Sequence, residues 1–176
     1  MKKAIYISIL ILILVLISPK LIRAEANVAE RSALLKSQIS QDSYDIRVEI
    51  LKNYLQKHNS PLADYAKELV DYADTYELDW RMVAAISGVE STFGKRIPQG
   101  SYNAYGWANG NYQFESWDDS IEIVSKTLKE KYIEKGAVSI SQIARRYAPP
   151  SSTWSYKVKY FMNKIDPLAV SFTLEV

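Results

Sequence analysis

The sequence contains no cysteine and a single histidine, His58. Without cysteine the chain can form neither a disulfide nor a thiol nucleophile, and it lacks the usual cysteine and histidine ligands of a zinc site. A serine–histidine–aspartate triad could use only His58, which lies in a polar stretch that is typical of a solvated helix end. We therefore expect neither a metal nor another cofactor.

The excess of positive charge is small and lies at the N-terminus. The chain has 22 basic and 20 acidic side chains, and the first 26 residues hold four of the basic and one of the acidic ones. The remainder has 18 basic and 19 acidic side chains. Because this part has no basic excess, we expect no nucleic acid partner.

Residues 1–26 have the pattern of an export signal. Lys2 and Lys3 precede an apolar run over residues 4–18, and the residues at 24–26 fit a small-x-small cleavage site. The run is shorter than the roughly 20 apolar residues of a spanning helix. The segment is either a cleaved signal peptide or an uncleaved membrane anchor. In both cases we expect an exported protein, located in the periplasm or outside the cell in the cell wall.

The remaining chain has helical periodicity and room for one domain, so we predict a mainly α fold. Residues 27–59 are predicted to form two helices that precede the domain, with a break at residues 41–43. The domain itself is assigned to residues 60–176. Ser60 and Pro61 have the pattern of a helix start, and further helices are indicated by apolar residues spaced three and four apart. The last of these helices has one apolar face, formed by Trp154, Val158, Phe161, Met162 and Ile165.

The centre of the predicted domain is the stretch from Trp80 to Gly94. Its first ten residues are apolar on nearly every side, which is typical of a buried helix. Glu90 follows at the end of this helix. Burial and the negative end of the helix dipole both disfavour the ionised carboxylate, so this pattern is suited to a proton donor. The alternative is a solvated glutamate without a catalytic role.

Residues 95–116 have no helical period and are rich in glycine, asparagine and aromatic residues. A long irregular stretch inside a compact domain is usually functional, and Asn109-Gly110 is compatible with a short β-hairpin. Aromatic faces stack on sugar rings, and amides bond to sugar hydroxyl groups. The candidate binding residues are Tyr102, Asn103, Tyr105, Gly106, Trp107, Tyr112 and Phe114. The alternative is a packed loop whose aromatic residues close a small core.

Three segments in a fixed order resemble the lysozyme-like superfamily. They are Val89-Glu90-Ser91-Thr92-Phe93-Gly94, Ser101-Tyr102-Asn103-Ala104-Tyr105-Gly106-Trp107 and Ile143-Ala144-Arg145-Arg146-Tyr147-Ala148. The similarity is to the soluble lytic transglycosylases and the bacterial glucosaminidases, and it covers residues 61–165. It implies a lysozyme-like helical domain with an irregular active-site loop.

The resemblance also implies a reaction, namely cleavage of β-1,4 bonds between N-acetylmuramic acid and N-acetylglucosamine in peptidoglycan. Glu90 would be the acid and base, and Tyr147 would bond to Glu90 or stabilise oxocarbenium-like charge. Tyr147 could equally be a core residue. Ser91 would contact the sugar or brace the loop. Where lytic transglycosylases carry Gly-Leu-Met-Gln, this chain has a segment beginning at Tyr105, so hydrolysis and internal attack both stay open.

A second carboxylate would be needed for ordinary glycoside hydrolysis. The loop and the following helix start offer Glu115, Asp118 and Asp119, of which the two aspartates have the pattern of capping residues. A single-carboxylate mechanism is therefore favoured. We expect a monomer that acts on peptidoglycan glycan strands. The rival hypotheses are a non-catalytic glycan-binding module and a membrane-tethered helical scaffold.

Overall fold

The fold is mainly α, as the sequence predicts. A computed structural model describes residues 45–149 and 151–166, and within them there are six α-helices and no β-strand. The predicted leader and the first helix of the 27–59 segment lie outside the described residues. The hairpin at Asn109-Gly110 is not formed, because these residues belong to a 3-10 turn.

The six described helices follow one another along the chain, and a long irregular loop separates the third from the fourth. They are α1 Ile46–Lys57, α2 Ala66–Thr75, α3 Met82–Ser91, α4 Trp117–Thr127, α5 Ile140–Tyr147 and α6 Trp154–Ile165. Two 3-10 turns lie at Pro61–Tyr65 and Trp107–Gly110, and a π-helical segment, Leu128–Ile133, continues α4. None of the described helices is both long enough and apolar enough to cross a membrane.

Side-chain caps fix where several helices begin. The Ser60 hydroxyl accepts a hydrogen bond from the Leu62 amide at 3.0 Å, although the segment that it opens is a 3-10 turn before it becomes helix α2. Ser139 and Gln142 form a complete capping box at the start of α5. These bonds satisfy amide groups that have no partner inside a helix.

Helix α3 is the core helix of the domain. Every residue from Met82 to Gly88 is buried, which confirms the prediction from its apolar sequence. The contact between α3 and α6 is more extensive than the contact between any other two described elements. Helix α6 makes this contact with four buried residues spaced three or four apart, Trp154, Val158, Met162 and Ile165. The packing of α6 on α3 brings the start of α6 beside the end of α3.

The compact unit begins earlier than the predicted domain. It starts at Asp45 rather than at residue 60, because helix α1 contributes to the same core. Leu51 and Leu55 of α1 are fully buried, and α1 packs against the turn Pro61–Tyr65. The second half of the predicted N-terminal segment therefore belongs to the domain.

Candidate active site

Glu90 lies in the last turn of α3 and faces a cleft of about 710 Å³. The side chain is exposed to this cleft, so the burial that the sequence predicts for this carboxyl is only partial. The continuous run of buried residues in α3 ends two residues earlier, at Gly88. The cleft is lined by Glu90, Tyr105, Gly106, Trp107, Ala108, Asn109, Thr127, Tyr132, Tyr147, Ala148 and Pro149.

One oxygen of the Glu90 carboxylate is fixed by an indole. Trp154 donates its Nε1–H to Glu90 Oε1 at 2.6 Å, across 64 positions of the chain. Trp154 is the first residue of α6, and its ring is buried. The contact therefore depends on the packing of α6 against α3, and it orients the carboxyl group toward the cleft.

The other oxygen of Glu90 lies against Gly106. A Cβ atom built on Gly106 would lie 2.9 Å from Glu90 Oε2, and the backbone of Gly106 has φ +72°. Both features require glycine, since a larger residue would be strained in this conformation and would press on the carboxylate. Because Oε1 is occupied by Trp154, Oε2 is the oxygen that is suited to carry a transferable proton.

The surroundings favour the protonated form of Glu90. Partial desolvation by neighbouring groups raises the pKa of Glu90 above its usual range, whereas the hydrogen bond from Trp154 and the charge of Lys157 act in the opposite direction. The direction agrees with the expectation from the sequence. The pKa rises because neighbouring groups exclude water from one side of the carboxyl. Its other side remains open to the cleft.

Tyr147 supports the site through other groups instead of bonding to Glu90. Its hydroxyl donates to the Tyr105 carbonyl at 2.7 Å, and its ring stacks on Trp154 with centroids 5.0 Å apart. Desolvation, and then the charge of Glu90, raise the pKa of Tyr147 well above its ordinary value. Tyr147 therefore lines the cleft as a neutral phenol that holds both the loop and the Trp154 ring in place.

Ser91 joins the end of α3 to the loop. Its hydroxyl lies 2.8 Å from the Ala104 carbonyl and 3.0 Å from the Ser87 carbonyl, and it accepts a bond from the Gly94 amide at 2.8 Å. Ser91 is buried. Of its two predicted roles, this placement favours bracing the loop over contact with a sugar.

The chain leaves α3 through three consecutive left-handed residues. Thr92, Phe93 and Gly94 have φ of 55°, 61° and 77°. A β-branched threonine in this region is a conformational outlier. Such strain persists only where the surroundings fix it, and here the Phe93 ring is buried while Ser91 bonds to the Gly94 amide. The strained turn follows directly after the candidate acid.

Asn103 organises the loop from inside. Its amide nitrogen donates to the carbonyls of Trp107 and Tyr112 at 2.9 and 3.0 Å, and its oxygen accepts from the Trp107 amide at 3.1 Å. Asn103 is buried, so its amide is used by the backbone and not by a ligand in the cleft. These bonds fix the turn that presents Gly106 and Trp107.

Five of the predicted site residues line the cleft, and five do not. Glu90, Tyr105, Gly106, Trp107 and Tyr147 line it. Those outside the lining are Ser91, Tyr102, Asn103, Tyr112 and Phe114. The burial of Phe114 and the contacts of Tyr112 with Trp107 and Phe114 favour the alternative in which loop aromatics close a small core.

Trp154 is the functional residue that the sequence did not reveal. Its spacing placed it on the buried face of the last helix, and that placement is correct. The available signal is its indole N–H, because a buried tryptophan usually finds a hydrogen-bond acceptor. Other lining residues missed by the prediction are Ala108, Asn109, Thr127, Tyr132, Ala148 and Pro149.

Among the residues that the structure describes, Glu90 is the only carboxylate that lines the cleft. Glu115 is exposed outside it, and its amide bonds to Asp119. Asp118 lies 3.4 Å from the Tyr72 hydroxyl. No three His, Cys, Asp or Glu side chains within residues 45–149 and 151–166 are placed to hold a metal ion. The cleft therefore offers acid–base chemistry from one carboxyl group.

The sequence was also compared with known proteins. No family model matches the chain, and no match is found among curated proteins.

Proposed function

We propose that the protein cleaves the glycan strands of peptidoglycan, in the manner of a lytic transglycosylase of the lysozyme-like superfamily. The observation that carries this proposal is a single carboxyl group of raised pKa that Trp154 orients in an aromatic-walled cleft. A cleft of about 710 Å³ has the size of a ligand site. The rings of Trp107, Tyr132 and Tyr147 give it the flat apolar surfaces on which sugars stack.

In the first step, protonated Glu90 donates the proton from Oε2 to the bridging glycosidic oxygen as the C1–O bond breaks. Trp154 keeps its bond to Oε1 throughout and stabilises the carboxylate that forms. The same N–H therefore favours the product side of the proton transfer. Positive charge develops at C1 of the sugar, and the new Glu90 carboxylate in the cleft offsets part of it.

In the second step, the nucleophile comes from the substrate, because no second carboxylate lines the cleft among the described residues. The 6-hydroxyl of the muramic acid residue attacks C1, directly or after the acetamido oxygen has done so. Its proton passes to Glu90, which returns to its starting state. The products are a free 4-hydroxyl and a 1,6-anhydro end. Hydrolysis to a reducing end would differ only in the use of water as nucleophile.

The test compares Glu90→Gln with Glu115→Gln on purified cell-wall sacculi. One positioned acid accelerates a reaction by roughly 10²–10⁴, so Glu90→Gln should lower the release of soluble fragments by at least that factor. Glu115→Gln is the matched control, because Glu115 lies outside the cleft, and it should retain the parental rate. Equal rates for the parent and Glu90→Gln would refute the assignment. Mass spectrometry of the products then distinguishes anhydro ends from reducing ends.

This function also requires export, and we propose that residues 1–26 direct the chain to the cell envelope, as a signal peptide or a membrane anchor. The partner would be the glycan polymer, and the chain would act as a monomer. Fusion of residues 1–26 to a reporter enzyme that works only outside the cytoplasm tests this. A reporter that stays inactive would contradict export.

A further inference from the structure

A second groove lies along α6, where this helix meets the end of α3. It has a volume of about 420 Å³ and is lined by Gly88, Val89, Tyr156, Lys157, Tyr160 and Phe161. A further depression of about 400 Å³ shares Tyr156 and Tyr160 with it and adds Lys159 and Lys164. The two depressions form one continuous surface, here called the α6 groove. The mechanism proposed above uses none of these side chains as an acid or a base.

The α6 groove combines exposed aromatic rings with unpaired positive charge. Tyr156 and Tyr160 are 72% and 47% exposed, which is unusual for large side chains in this domain. Three lysines line the groove, namely Lys157, Lys159 and Lys164. None of them forms an ion pair with another described residue. None of the described residues that line it is acidic. The surface is therefore complementary to a ligand that carries both carboxylates and apolar groups.

The α6 groove is continuous in the chain with the candidate active site. Val89, which lines the groove, directly precedes Glu90, and the charge of Lys157 acts on the pKa of Glu90. A ligand in the groove would therefore contact the same turn of α3 that carries Glu90. Peptidoglycan carries such a ligand, since short peptides with free carboxylates are attached to its muramic acid residues. Four or five extended residues span about 13–18 Å, and the groove residues from Tyr156 to Lys164 cover about 12 Å of helix.

We propose that the α6 groove binds the carboxylate-bearing stem peptide of the strand that occupies the cleft. This inference rests on the proposed function, and it extends that function to the peptide part of the substrate. Lys157 and Lys159 pair with peptide carboxylates, and the rings of Tyr156 and Tyr160 pack against the aliphatic side chains. Lys164 lies over the Tyr160 ring, with its Nζ 5.6 Å from the centroid, and keeps that ring in position.

Binding to sacculi in the full-length Glu90→Gln background tests the inference without turnover. One set of sacculi keeps its peptides, and a second set has been stripped of them by an amidase. Lys157→Gln and Tyr156→Ala are compared with Lys52→Gln, an exposed lysine on α1. Both groove residues are exposed, so their substitution leaves the core intact.

The two groove variants should bind intact sacculi about threefold to tenfold more weakly than the control. For Lys157→Gln this loss corresponds to roughly 1 kcal/mol, the contribution of an exposed charge pair. The difference between Lys157→Gln and the control should shrink at high salt, because screening weakens such pairs. All variants should bind stripped sacculi equally. Equal retention on intact sacculi, or the same loss on both substrates, would overturn the proposal.

Two further outcomes separate this inference from its rivals. If the groove variants lose binding to vesicles of anionic lipid while their binding to intact sacculi is unchanged, the groove is a membrane surface and the inference is wrong. Failure of the proposed function would show itself differently, as a parent protein that releases no fragments from sacculi. The binding experiment uses the Glu90→Gln variant and needs no turnover. The difference in binding between intact and stripped sacculi can therefore be measured even if the parent protein has no activity.

Discussion

The close approach of Gly106 to the candidate acid gives a quantitative prediction. In Gly106→Ala the new methyl group would lie 2.9 Å from Glu90 Oε2, and the backbone would keep a φ of +72° that alanine disfavours. The substitution thus imposes two separate penalties. One is conformational and does not depend on Glu90, whereas the other exists only while the carboxylate is present.

The two penalties are of similar size. A non-glycine residue in the left-handed region costs about 1–2 kcal/mol. Moving the carboxylate away from the methyl group breaks its bond to Trp154. A hydrogen bond contributes about 1 kcal/mol to stability, and Glu90, which is exposed to the cleft, finds no stronger partner there among the described residues. We therefore expect Gly106→Ala to lower the free energy of unfolding by about 2–3 kcal/mol.

A double-mutant cycle separates the penalties. Urea unfolding of the parent, Gly106→Ala, Glu90→Ala and the double variant gives the cost of the methyl group with and without the carboxylate. The cost should fall to about 1–2 kcal/mol in the Glu90→Ala background, where only the conformational penalty remains. If Gly106→Ala costs the same in both backgrounds, the methyl group does not meet Glu90 and our description of the site is wrong. In the parent background, displacement of the acid should also slow fragment release about 10²-fold.

Three other substitutions test the site and its frame. Trp154→Phe removes an N–H that favours ionised Glu90, so the pKa of Glu90 should rise further. The alkaline limb of the rate–pH profile should then move to higher pH. An unchanged limb would show that the indole does not tune the acid. Gly88→Ala should destabilise the fold by about 1–2 kcal/mol, because the added methyl would lie 2.6 Å from the buried Phe93 ring. Helix propensity alone predicts the opposite, a gain in stability of about 1 kcal/mol. A higher melting temperature of the variant would therefore contradict the close contact with Phe93. Ser91→Ala leaves a buried amide and carbonyl without a partner and should cost about 1–3 kcal/mol in urea unfolding, whereas an unchanged midpoint would show that the loop does not need this hydroxyl.

The helical frame was predictable because its signals are local. The apolar run from Met82 to Gly88 predicted a buried helix, and the spacing of apolar residues in α6 identified its buried face correctly. Both patterns follow from the helical period of 3.6 residues, which neighbouring residues reveal without tertiary information. The extra turn at Pro61–Tyr65 was not predicted, since a cap residue and a proline start a 3-10 turn as readily as an α-helix.

The site was less predictable because its contacts are long-range. The position of Glu90 could be predicted from its own helix, but its partner Trp154 lies 64 residues away. Asn103 was expected to bind a sugar, and its amide instead satisfies two carbonyl groups within the loop. An irregular loop has no regular backbone bonding, so its buried carbonyls need side-chain donors. Residue type alone does not distinguish an amide that serves a ligand from one that serves the backbone.

The indole that holds Glu90 belongs to the last described helix, whereas the glutamate belongs to the third. During synthesis the glutamate emerges long before its donor does, and a chain interrupted ahead of α6 lacks the indole, so the phenol of Tyr147 has no ring to stack on. The orientation of the Glu90 carboxyl is therefore acquired late, when α6 docks on α3. A chain that stops ahead of α6 carries the acid without the donor that aims it.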